Sequence, residues 1–259
     1  MPIGAIIIGD EIMRGKRQDK HMAQLISILR SRGLALAWCE YLGDSPELIT
    51  STLKRTLAGT DIVFSFGGIG ATPDDHTRAC AAAAAGLPLV LHPEAEAEIR
   101  GRFGADTTPN RLKMGEFPRG ASIIPNSYNR ICGFSLREHH FVPGFPIMAW
   151  PMVEWVLDQR YAGLFHRQPE AEASIVVYES AESTLTPLML AVEAKYRGLK
   201  VFSLPSVGED GRRRHIELGV RGAPDEVPAA MEELRRGVTE TGGIWEEHIV
   251  PPAPQAAGS

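Results

Sequence analysis

Cysteine is scarce in this chain, basic residues are outnumbered, and no apolar run is long enough to cross a bilayer. The three cysteines, Cys39, Cys80 and Cys132, are odd in number and far apart. That excludes a disulfide framework or a zinc-binding cluster and predicts reduced, intracellular thiols. Lys and Arg number 27 against 32 Asp and Glu, a net charge of −5. A surface that neutralises a phosphate backbone needs the opposite balance, so nucleic acid is not the expected partner. The apolar stretch 3–8 has no basic leader and is too short for a membrane span. Neither a secretory signal nor a membrane partner is expected, and the cytoplasm is the expected compartment. There is no internal repeat. What remains is ordinary soluble composition: 44% hydrophobic and 23% charged residues over 259 positions. That suffices for one large domain or two modest ones.

Strand and helix signals alternate from the start. Residues 4–8 form the near-continuous apolar run of a central parallel strand, ended by Gly9-Asp10-Glu11 and a polar loop. Asp19 is placed to cap a helix with Met22, Leu25, Ile26 and Leu29 on one stripe and Gly33 at its end. A second strand is predicted over 34–42. Ser45 as N-cap and Pro46 at the first helical position then open a helix that buries Leu48, Ile49, Leu53 and Leu57. A third strand covers 61–66. This alternation predicts an α/β domain over 1–167, a doubly wound, mostly parallel sheet that binds ligands outside the carboxyl ends of its strands.

Further on, a helix is predicted over 93–103, a helical turn over 110–114 and short strands over 122–124 and 140–142. Pro143-Gly144-Phe145-Pro146 makes a rigid turn before a helix over 147–161, with Pro151 in its first turn. Arg167-Gln168-Pro169-Glu170 looks like a linker. The β-α-β-β-α-β order over 171–249 predicts a small α+β domain of ferredoxin-like type, with Asp225 capping its second helix. The Pro/Ala-rich tail, 250–259, is expected to be disordered.

Chemistry concentrates where the third strand ends. Phe66-Gly67-Gly68-Ile69-Gly70-Ala71-Thr72-Pro73-Asp74-Asp75-His76-Thr77 runs into an alanine-rich helix closed by Gly86. Strand, glycine loop and helix together place unpaired backbone N–H groups where a phosphate can sit. Asp74 and Asp75 beside an anion site are unfavourable unless a cation bridges them to the ligand. A divalent metal is therefore implied.

These residues resemble the Gly-Gly-x-Gly-x-Thr-x-Asp-Asp-x-Thr signature of the molybdopterin-binding (molybdenum-cofactor-biosynthesis) domain family. The match is nearest to its branch at the N-terminus of CinA-type competence/damage-inducible proteins. Gly9-Asp10-Glu11-Ile12-Met13-Arg14-Gly15 with Asp19, Leu42-Gly43-Asp44-Ser45-Pro46-Glu47 and Pro143-Gly144-Phe145-Pro146-Ile147-Met148 resemble that branch's other loops, in the same order. Pro125-Asn126 followed by Gly133-Phe134 matches a further one. Residues 171–247 resemble, by element order, the small KH-like domain of CinA-type proteins. The amidase domain of longer members has no counterpart here, so nicotinamide-nucleotide deamidation is not expected.

The resemblance implies nucleotide or pterin phosphate chemistry. In the CinA-type branch this is hydrolysis of an ADP-ribose-like pyrophosphate with Mg, Mn or Co. In the cofactor-synthesis branch it is binding of molybdopterin and its adenylylation. A non-catalytic assembly role is the third alternative. Asp44 and Asp75 are the implied catalytic and metal-holding carboxylates. Gly67, Gly68, Gly70, Thr72, Asp74, Thr77, Asp10, Glu11, Asn126, Pro143 and Gly144 are the implied ligand contacts. A homodimer or trimer is implied as well. Ile69 stands where the cofactor-synthesis branch has threonine, which removes a hydroxyl, and Cys132 stands where proline is common.

Other signals read as structural. Cys80 is expected to fill core space, and His139-His140 lacks acidic or cysteine partners at ligand spacing. Gly208-Glu209-Asp210-Gly211 has the Gly-x-x-Gly form of a nucleic-acid-binding loop. Its acidic centre between two strands makes it a hairpin turn instead. Arg212-Arg213-Arg214 beside it reads as a solvated strand end.

Overall fold

A computed structural model describes residues 1–167, 171–208 and 213–248. The chain divides into two compact units, the first ending at His166.

In the first unit, β1 (Ile3–Ile8) pairs in parallel with both β2 (Trp38–Leu42) and β3 (Ile62–Phe66). Every residue of β1 is buried because both faces of the sheet are covered. Ile3, Ala5 and Ile7 pack on α2 (His21–Arg30) and α7 (Pro146–Arg160), through Leu25, Leu29, Val153 and Leu157. Ile6 and Ile8 face the opposite layer, α3 (Pro46–Leu57), α4 (Thr77–Ala85) and α5 (Pro93–Phe103). This is the period-two division of a strand between two cores.

The sheet order is β2-β1-β3-β8-β7-β6. Here β8 (His139–Val142) runs parallel to β3, β7 (Gly133–Leu136) is antiparallel to β8, and β6 (Ser122–Ile124) is antiparallel to β7. The ends of β1, β2, β3, β8 and β6 and the start of β7 therefore share one edge. A short helix α1 (Asp10–Met13), a helical turn α6 (Pro109–Leu112) and a two-stranded pair, β4 (Leu89–Leu91) with β5 (Glu116–Pro118), complete the unit.

Several expectations change in detail. The second strand begins at Trp38, not at 34. Asp19 does cap α2, accepting from the His21 and Met22 amides at 2.8 and 3.1 Å. The buried stripe of that helix is His21, Leu25, Ile28 and Leu29, while Met22 is exposed. Ser45 caps α3 through the Leu48 amide, but the Leu48 side chain is exposed. Residues 10–13, expected as loop, wind into a helical turn. Pro146 occupies the first turn of α7, and Pro151 lies inside the helix.

The second unit is a four-stranded antiparallel sheet in the order β10-β11-β9-β12. Its strands are β9 (Ala171–Tyr178), β10 (Leu199–Ser206), β11 (His215–Gly222) and β12 (Ile244–Glu247). Helices α8 (Glu182–Lys195) and α9 (Val227–Glu240) pack on it through Leu185, Val192, Ala230, Leu234 and Val238. The order is that of the expected split βαβ arrangement. Glu226, not Asp225, stands at the cap of α9, and no side chain caps it. Residues 168–170, 209–212 and 249–259, where most of the expected linker, hairpin turn and disordered tail fall, lie outside the described residues.

Candidate functional site

Two carboxylates hold the ends of β1 and β2 to each other. The Asp10 amide donates to Asp44 Oδ2 at 2.9 Å, and the Asp44 amide donates to Asp10 Oδ1 at 3.1 Å. Asp10 Oδ2 also accepts from Arg14 at 2.7 Å. The exchange is tight: a Cβ at Gly43 would stand 2.7 Å from Asp10 Oδ1. Partial burial holds the Asp44 carboxyl above the usual carboxylate range; the Asp10 amide opposes this, and the charges of Asp10, Glu11 and Asp74 reinforce it.

Next to them, β3 ends in the glycine loop. Gly67 has φ 100, and a Cβ there would lie 2.4 Å from the Ile8 carbonyl oxygen of the neighbouring strand. Gly68, at φ 68, leaves room for the Thr77 hydroxyl, which a Cβ would approach to 2.2 Å. Thr77 is fully buried and donates to the Gly67 carbonyl at 3.0 Å, while its amide donates to the Gly68 carbonyl. Thr77 thus fastens the loop to α4 and does not present its hydroxyl to a ligand. Asp75 accepts from both the amide and the hydroxyl of Thr72, at 2.8 and 2.5 Å. It closes the loop and does not cap α4, whose N-cap is His76. Among the described residues, the N–H groups of Gly68, Ile69, Gly70 and Ala71 have no protein acceptor. Unpaired backbone donors in a loop make a concavity suited to an anion.

Two residues at this edge escape sequence reasoning. His21 is buried and stacks on Phe66 with ring centroids 4.5 Å apart, and its Nε2 lies 3.1 Å from the Gly144 carbonyl. Burial keeps its imidazole below the ordinary histidine range, with Gly144 and Asp19 opposing. Its place four residues before Leu25, on the buried stripe, was the available signal. Arg78, also buried, donates to the Gly70 carbonyl from behind the loop. An arginine inside an alanine-rich helix carries no periodic cue.

Pro143 and Gly144 follow β8, and a Cβ at Gly144 would be 3.5 Å from Gly67 Cα, so the two turns touch. Asn126 lies two strands further along. Its amide is spent inside its own loop, donating to Asn129 Oδ1 and the Ile131 carbonyl and accepting from the Tyr128 amide. The structure thus brings Asp10, Glu11, Asp44, Asp74 and the glycine loop together, and sets Asn126 apart.

The residues 4–163 match the model of the probable molybdopterin binding domain. The chain belongs to that family. A CinA-like protein from Anaeromyxobacter sp. (strain Fw109-5) is 30% identical over 292 residues, 96% of this chain and 70% of its own length. One from Escherichia coli O17:K52:H18 (strain UMN026 / ExPEC) is 29% identical over 91% of this chain and 58% of its own length. The chain therefore spans little more than half of the second relative. The crystal structure of CinA from Thermoplasma acidophilum, a protein described as of unknown function, matches at 25% identity and TM-score 0.56. It covers 61% of this chain and 98% of its own. Within the matched residues, the glycine loop, the two loops joined by the Asp10–Asp44 clasp and the Pro143-Gly144 turn gather at one sheet edge.

Oxygen donors at this edge suit a hard divalent cation. Among the described residues, no three His, Cys, Asp or Glu side chains are close enough to hold one by themselves. The donor set fits a metal of Mg type, held by one or two carboxylates and completed by substrate phosphate oxygens and water. Among the described residues, Oδ1 of Asp44 and Oδ1 of Asp75 take no protein donor, and the exposed Asp74, which accepts from Thr72, stands near them; these are the available ligands. Among the described residues, no helix is long and apolar enough to cross a membrane.

Proposed function

We propose that the first unit binds an ADP-ribose-like nucleotide by its pyrophosphate and hydrolyses it to two monophosphates with a divalent metal. The observation that carries this reading is the unpaired N–H row of residues 68–71, set beside the clustered carboxylates of Asp44, Asp10, Glu11 and Asp74. The amides would hold phosphate oxygens, with Arg78 fixing the loop from behind. Asp44, whose proton affinity is raised, would orient or deprotonate the attacking water. Water oxygen bonds to one phosphorus, the bridging P–O bond breaks, and AMP and ribose 5-phosphate leave with release of a proton. Bound metal would neutralise charge developing on the phosphates. Asp75, tied to Thr72, serves as the brace of the loop.

Incubating the protein with ADP-ribose and Mg²⁺, Mn²⁺ or Co²⁺ tests this. AMP release is expected, and Asp44→Asn is expected to lower it at least about a hundredfold with the melting temperature kept. No AMP with any of the three metals removes the hydrolase reading. The family's description favours a second reading, a molybdopterin-binding protein, which stabilisation by a pterin phosphate but not by ADP-ribose would support. We further place the protein in the cytoplasm, on its three unpaired cysteines. A homodimer or trimer is the assembly we propose.

A further inference from the structure

At the far end of the same sheet edge, a cavity of about 320 Å³ opens between the 125–132 loop and α7. We infer that it receives the planar heteroaromatic ring of the ligand whose phosphates lie at the glycine loop. This rests on the reading above and adds the second half of the substrate.

Three observations support it. First, one part of the lining is apolar: Ile123, Pro125, Pro151, Met152 and the partly exposed Trp155. Such a lining, with an aromatic side chain in it, suits a ring that stacks. Second, a cation stands at the rim. Arg130 reaches Glu98 at 2.6 Å and keeps about half of its side chain exposed. Its guanidinium can donate to ring nitrogens or carbonyls, and Glu98 can accept from an exocyclic amine.

Third, the loop is preformed and strained. Arg130 has φ 61, a left-handed conformation that a non-glycine residue holds only when its surroundings impose it. Asn126 imposes it: its buried amide makes three hydrogen bonds within the loop, its carbonyl accepts from the Arg130 amide, and Asn129 Oδ1 accepts from Ile131. The role implied for Asn126 as a ligand contact thus becomes that of loop builder. From β3 to β7 and β6 is two to three strand spacings, about 10–15 Å. That is the span one extended nucleotide or pterin phosphate must bridge. Asn129 links the two ends by donating to Met148, just after the Pro143-Gly144 turn, at 3.1 Å.

Adenine and pterin share this ring chemistry, so the test separates them. Calorimetric titration of the wild-type chain, Trp155→Ala and Arg130→Gly with ADP-ribose, adenosine, neopterin and Mn²⁺-pyrophosphate reads each half. The glycine variant relieves the positive φ and keeps the fold. Expected is a tenfold or greater loss of affinity for adenosine or for neopterin in both variants, whichever ring the wild type binds, with pyrophosphate affinity unchanged. Unchanged ring affinity in both variants, or a wild type that binds neither ring, overturns the proposal. AMP release with normal ring binding in the variants sinks the pocket and leaves the hydrolase. Ring binding that needs Trp155, without AMP release, does the reverse.

Discussion

At the residue scale, the glycine loop is shaped by what cannot fit beside it. Gly67→Ala would push a Cβ against the Ile8 backbone at a φ that L residues avoid. It should cost at least about 2 kcal/mol in urea unfolding. Thr77→Val keeps the volume but leaves the Gly67 carbonyl without its buried donor. It should cost about 1–3 kcal/mol, and restored stability in Thr77→Ser would confirm the hydroxyl as the cause. The motif marked both residues, but as phosphate contacts; spacing cannot tell a hydroxyl that faces a ligand from one that faces a carbonyl three ångströms away. The contacts of His21 and Arg78 were hidden for the same reason, although the stripe position of His21 marked it as buried. Their partners, Gly144 and Gly70, come close only through the fold.

At the element scale, local chemistry was the readable part. Ser45 and Pro46 open α3, and Gly86 closes α4 in a left-handed conformation, as their residue types require. Ser45→Ala should remove about 1 kcal/mol, visible as a lower melting temperature with the glycine loop intact. Strand ends were less legible. Residues 34–37 alternate like a strand, but strand β2 pairs with β1 only from Gly4 and Trp38 onward, and the partner sets the length. The antiparallel β7 and the β4–β5 pair were missed, whereas β6 and β8, equally short, were found beside the Pro125-Asn126 and Pro143-Gly144 turns; a strand of three or four residues is legible only where its flanks mark it.

At the scale of the whole molecule, two buried histidines set a pH limit. His139 bonds to Thr56 at 2.9 Å, and His140 lies between Ser135 and Tyr161 at 2.8 and 2.7 Å. Burial, helped by nearby arginines, presses them down to about 4 and about 3. Folded, they stay neutral while the unfolded chain takes up protons below its ordinary value near 6.5. Their contribution is therefore complete above about pH 6.5 and is lost as pH falls toward 4 and 3. The melting temperature should drop across that window, and His140→Asn should flatten the drop; an equal slope in the variant would exclude His140. Each unit has its own core, so residues 1–166 and 171–248 expressed apart should each melt in a single cooperative transition by calorimetry.

By itself the sequence determined the α/β and α+β units, the Asp19 and Ser45 caps, and the glycine loop at the end of the third strand. Those follow from local periodicity, turn chemistry and residue type, which act over a few positions. Only the tertiary structure decided that Asp10 and Asp44 hold each other's amides 34 residues apart, that Asp75 braces the loop, and that Asn126 builds a pocket two strands away. A carboxylate or an amide has several partners it could take. Which one it takes depends on the strand order that brings distant chain ends to one edge.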